Sequence, residues 1–99
     1  MIVGKVIGSV VSTNKSEKMH GMKMMVVQPL EIETQKNTGN CVVAIDTVGA
    51  GESETVLCVS GSSARQTHYT ENRPVDMVIV GIIDSIQVNN KTVFKKYES

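Results

Sequence analysis

The stretch "DTVGAGESETVLCVSGSSAR", Asp46 to Arg65, places two small-residue loops, Gly49-Ala50-Gly51 and Gly61-Ser62-Ser63, on either side of an apolar run. Glycine-rich loops of this kind can cradle phosphate, so that reading comes first. A Walker-type loop needs Gly-Lys-Ser/Thr opening a helix, and the chain contains no such tripeptide. The dinucleotide fingerprint needs a third glycine followed by a helix. Here "GAGESE" carries glutamate at that position and runs into a strand-like segment. Without a helix N-terminus the loop lacks the aligned N–H groups that attract anions, and Glu52 and Glu54 would repel them. The nucleotide reading fails. Two readings of the glycines remain: positive φ at Gly49 or Gly51 in a strand-to-strand connection, or close packing within a barrel or across a subunit boundary. The residues leave both open.

Outward from this loop, β character dominates. Cys41 to Asp46 and Glu54 to Ser60 read as strands, rich in the branched residues that suit a pleated surface. The N-terminal segment Ile2 to Val11 is a long strand whose Gly4 and Gly8 imply bends or bulges. Asn14 to Gly21 is a polar loop, and Met22 to Leu30 a further strand despite the helical spacing of Met19, Met22 and Met25, because Gly21 and the lack of caps oppose a helix. Thr34 to Asn40 is a loop with turn residues at Gly39-Asn40. Ser62 to Gln66 is the one plausible helix, a short turn with serine as N-cap. Asp76 to Ile86 is a strand, Asn89-Asn90 a tight turn, and Thr92 to Phe94 pairs back. Five or six strands in so short a chain predict an all-β fold, a small closed or nearly closed barrel with one short helix and a C-terminal strand extension.

The 99 residues form a single domain over 1–99, with room for one modest core: a chain of this size buries roughly 60–70% of its unfolded surface. Ten acidic and ten basic side chains cancel, so no bulk charge attracts nucleic acid or anionic lipid. Two tyrosines, one phenylalanine and no tryptophan are a poor stacking platform for single strands. The longest apolar run, Met77 to Ile83, is far short of the roughly 20 residues a membrane helix needs, and the N-terminus has no signal-peptide pattern. Cys41 and Cys58 read as buried thiols in a cytoplasmic chain.

No catalytic, cofactor or metal site is expected. His20 and His68 lie in polar loops without ligand spacing, and neither Cys58 nor Ser62 has a His-Asp arrangement to activate it. The basic loop Lys15, Lys18, His20 and Lys23 reads as a solvated connection or a contact with a neighbouring protein. Asp46 ends a strand where its carboxylate can accept loop N–H groups, as in an Asx-turn. Arg65, after the serine cap, is an exposed helical charge or an interface arginine.

From Ala44 to Gln66, "AIDTVGAGESETVLCVSGSSARQ" resembles the EutN/CcmL family, the pentameric vertex proteins of bacterial microcompartment shells. The likeness extends to "GKVIGSVVSTNKSEKMHGMKMMVVQPL" before it and "PVDMVIVGIIDSI" after it, in one order and at one spacing. One departure stands out: the family usually reads G-A-G-x-G-E, and Ser53 occupies the place of the last glycine, where positive φ would be costlier. The resemblance implies an open five-stranded barrel of the OB type, without catalytic residues or cofactor, in a homopentamer that meets hexameric shell proteins. It implies a place in the cytoplasm, in the compartment shell, and no nucleic-acid or membrane partner. It places Gly49, Ala50, Gly51, Glu52, Ser53 and Glu54 on a loop near the five-fold axis, with Ser62, Ser63 and Arg65 at subunit boundaries and Asp46 structuring the loop. On an axial loop Glu52 would become a ring of like charges. The tail "VNNKTVFKK" looks like the extended C-terminus of ethanolamine-type or related catabolic members. The other function class open to such a barrel is an OB-type module for single-stranded nucleic acid or a saccharide, which the few aromatics and zero net charge oppose.

Overall fold

The computed structural model describes residues 1–11, 23–60 and 77–97. They form seven strands and, among the described residues, no helix: β1 (Ile2–Val10), β2 (Met24–Pro29), β3 (Val42–Asp46), β4 (Thr55–Ser60), β5 (Met77–Ile82), β6 (Ser85–Val88) and β7 (Lys91–Lys95). The expected helix at Ser62 to Gln66 and the polar loop from Asn14 to Gly21 lie outside the described residues.

The first five strands close into a barrel in the order β1-β2-β3-β5-β4, and β6 and β7 make a separate two-stranded sheet. β4 returns to β1 antiparallel, whereas β3 and β5 meet in parallel through two residue pairs, Ile45 with Val78 and Asp46 with Ile79. This strand order is that of the OB fold, but the barrel is closed, not open as the resemblance implied, because β4 pairs back onto β1.

Alternation sets the interior. Val6 faces Val27 and Met25 faces Ala44 across neighbouring strands, and all four are buried with Ala50, Val56, Cys58 and Ile79. A smaller cluster of Ile45, Val59 and Val78 packs with Met24 and Val80. Gly4 and Gly8 serve β1 differently. A Cβ at Gly4 would overlap Val27 Cγ1 and lie 2.9 Å from the Gln28 carbonyl oxygen, so the walls meet there because no side chain intervenes. Near Gly8 the β1–β2 register slips between Val6 and Gly8, which is the bulge expected of that segment.

Two expectations need correction. The strand foreseen from Asp76 to Ile86 is broken: β5 stops at Ile82 and a new strand starts at Ser85. Ile83 N donates to the Thr55 carbonyl at 2.9 Å, the last rung to the barrel, and the chain then leaves the wall. The turn at Asn89-Asn90 has positive φ at both residues, 52° and 66°, the geometry that two-residue hairpins favour. Cys41 is exposed rather than buried; it precedes β3, and its thiol donates to Gln28 Oε1 at 3.2 Å. Cys58 is buried as expected, and burial pushes its thiol up to about 11.

Candidate functional site

The connection from Asp46 to Glu54 is held by its own side chains and by the barrel wall. Asp46 Oδ1 accepts from the N–H groups of Val48 and Gly49, each at 3.0 Å, a local bond pattern that Asp forms readily. Thr47 Oγ1 donates to the Ile79 carbonyl at 2.7 Å, continuing the short β3–β5 seam beyond its last pair. Gly49 then takes φ of +78°, and no atom lies within 4 Å of where its Cβ would stand. Glycine is needed there for torsion, not for space.

Ala50 turns inward. It is fully buried in the main core cluster of its own barrel, so its methyl packs against its own chain and does not face a neighbour. Gly51 begins a tight reversal: Glu54 N donates to the Gly51 carbonyl at 3.3 Å, and Ser53 N to the Val6 carbonyl at 2.8 Å. Ser53 adopts φ of +75°, as the third residue of a type II turn must. Serine therefore takes the left-handed conformation that glycine would hold more cheaply. The Val6 N–H closes the ladder on the Glu54 carbonyl at 2.9 Å.

Glu54 ties the loop to the C-terminal hairpin. Its Oε1 accepts from Gly51 N at 2.7 Å and its Oε2 from Lys96 Nζ at 2.9 Å. The Gly51 N–H first, then Lys96, hold its carboxyl below the ordinary value. The same pair raises Lys96, whose ammonium also sits 5.0 Å from the centre of the Tyr97 ring. Glu52, between them, is exposed. Ser62, Ser63 and Arg65 lie outside the described residues, as do His20, His68, Lys15 and Lys18. Lys96 was not legible from the sequence: it stands 42 residues from Glu54, and the two meet only because the C-terminal hairpin returns to the loop.

Two outward apolar surfaces flank β1. One is an open groove of about 310 Å³ lined by Met1, Val3, Pro29, Leu30, Ile32 and Leu57, among others. The other includes Ile7 and Val43, each about half exposed at 51% and 49%, with Val26 between them in the ladder from Gly8 to Val43. Among the described residues no three His, Cys, Asp or Glu side chains gather as a metal site would require.

Residues 1–84 match the family model described as ethanolamine utilisation protein EutN/carboxysome. The chain is 41% identical over 96 residues to the microcompartment shell vertex protein EutN of Salmonella typhimurium, covering 97% of this chain and 96% of that protein. It superposes on the structure of Gloeobacter violaceus CcmL with a TM-score of 0.92 at 42% identity, over 99% of this chain and 100% of the other. It also resembles the GrpN pentameric microcompartment shell protein of Rhodospirillum rubrum, with a TM-score of 0.79 at 44% identity over 89% of this chain and 99% of that one.

Proposed function

Because the chain belongs to the EutN/CcmL family, we propose that it is a structural, non-enzymatic shell protein whose homopentamer caps the five-fold vertices of a bacterial microcompartment in the cytoplasm. The observation that carries this reading is the 44% identity to a pentameric shell protein along nearly that protein's whole length. The two outward apolar surfaces support it. A ring is built from heterologous contacts, in which one face of each subunit meets a different face of the next. Two separate apolar surfaces on one small barrel meet that requirement. Hexagonal tiles alone make flat sheets, so five-fold units provide closure, and hexameric shell proteins are the partners this role demands.

In such a ring the Gly49 to Glu54 loop lies near the axis, with Ser62, Ser63 and Arg65 at subunit boundaries. Exposed Glu52 then repeats five times as a ring of like charge, which favours cations and opposes anions in any narrow passage. The assignment to an ethanolamine-type catabolic compartment rests on the tail "VNNKTVFKK", since EutN and CcmL relatives are about equally similar. Native mass spectrometry tests the central reading: a five-chain species is expected, and a stable monomer at micromolar concentration overturns it.

A further inference from the structure

Among the described residues, one polar contact joins the β6–β7 hairpin to the barrel, and it is the Lys96–Glu54 ion pair. Beyond that pair, half-buried Val93 and Phe94 face Lys5, Leu30, Ser53 and Thr55 across an open groove of about 500 Å³. A two-stranded hairpin is marginal by itself, so its position depends on how it is docked. The other oxygen of the same carboxylate holds the Gly51 N–H. We propose that Glu54 is a latch: one carboxylate fastens the C-terminal hairpin and shapes the Gly51–Glu54 turn together, so release of the hairpin loosens the loop.

Geometry makes the two contacts dependent on each other. The bonds from Gly51 and Lys96 use different oxygens, so neither displaces the other, and each orients the carboxylate for its partner. The side chains of Lys96 and Glu54 remain 23% and 25% exposed, open enough for solvent to enter when the pair parts. The charged and titratable groups on the surrounding elements are Glu52 in the same turn, Lys5 opposite Thr55 on β1, and Asp84, Lys95 and Tyr97 along the hairpin. Glu54 is held below its ordinary 4.5, so its contribution is complete above that pH and fades as pH falls through its lower folded value. Lys96 is raised above 10.5, so its share is complete below that pH and is lost above its folded value. The latch is closed at neutral pH and opens in acid. Both partners belong to one chain, so the inference stands or falls separately from the pentamer.

Hydrogen exchange on the assembled protein at neutral pH, read in peptides covering 49–54 and 85–97, tests it. Lys96→Met should speed exchange severalfold in the hairpin and, through the freed carboxylate, in the loop 42 residues away. Glu54→Gln keeps a neutral acceptor for Gly51 and should speed the hairpin more than the loop; Glu54→Ala should speed both. Lys96→Arg should stay near wild type. Wild type brought to acid, with rates corrected for intrinsic exchange, should approach Glu54→Gln. Native mass of the same samples separates a change of assembly from a change of latch. The proposal is overturned if Lys96→Met leaves the loop at its wild-type rate, or if the hairpin exchanges equally in all variants.

Discussion

Gly4 and Gly49 are the same residue serving opposite needs. At Gly4 the backbone lies in an ordinary strand conformation, but Val27 and the Gln28 carbonyl occupy the space a side chain would take. At Gly49 the space is empty, but φ is +78°. The wall is constrained by volume and the loop by torsion. The difference teaches that a small residue in this fold does not by itself mark a close contact, and the two kinds of glycine should respond differently to the same substitutions.

The largest effect is expected in the wall. Gly4→Ala pushes a methyl into a branched side chain and a backbone carbonyl, so its cost should reach the upper part of the usual overpacking range of about 1–3 kcal/mol. The test is chemical denaturation combined with a double-mutant cycle. Val27→Ala removes the overlapping Cγ1, so the pair Gly4→Ala, Val27→Ala should cost clearly less than the two single changes added together. Strict additivity would mean the walls separate freely at this point.

The loop glycine should cost less and be blind to size. Gly49→Ala forces a Cβ into the left-handed region at about 1–2 kcal/mol, partly offset by a stiffer unfolded chain worth about 0.4–1 kcal/mol. With nothing within 4 Å, Gly49→Leu should match Gly49→Ala, whereas a size series at Gly4 should climb steeply. Gly49→Asn should be the mildest, because Asn tolerates this conformation. A cost that rises with side-chain volume at Gly49 would reveal a neighbouring subunit in the space that one chain leaves empty.

The barrel was legible in the sequence because alternation and branched residues are local signals. The runs at Ile2, Cys41 and Glu54 carry them, and the strands fall within a residue of where they read. The break at Ile83-Asp84 was not legible. Asp84 closes the apolar run but Ser85-Ile86 resumes a strand-like pattern, so the segment reads as one strand. That the chain leaves the wall after the Ile83–Thr55 rung depends on where another strand lies. The same limit applied to the loop. Gly49 and Asp46 announce a turn in their own composition, but Ala50's burial comes from the barrel around it. Glu54's partnership with Lys96 comes from a hairpin that returns after 42 residues.

Asp46 offers an effect of similar size by a different cause. It supplies one exposed acceptor to two N–H groups, so Asp46→Ala should cost about 1 kcal/mol, the net scale of a hydrogen bond that water can replace. Asp46→Asn keeps an acceptor oxygen and should stay close to wild type. Denaturation midpoints of the two variants separate the explanations: equal losses would show that the carboxylate's charge matters and the Asx-type bonds do not.

Ser53 gives the smallest effect and the only expected gain. It sits at φ +75°, a left-handed conformation that carries about 1–2 kcal/mol of strain for a residue with a Cβ. Ser53→Gly removes that strain but adds unfolded-state entropy worth about 0.4–1 kcal/mol. At mid-range values the strain exceeds the entropy, leaving a gain of about 0.5–1 kcal/mol, which in a chain of this size is a rise of roughly 2–6 °C in Tm. Protein concentration has to be matched, because an oligomer's melting point follows mass action. Ser53→Ala is the control: it keeps the strain and loses only the hydroxyl, so it should melt with wild type. If Ser53→Gly instead melts at or below wild type while Ser53→Ala is also destabilised, the hydroxyl holds a contact in the assembled ring, and torsion does not decide this position.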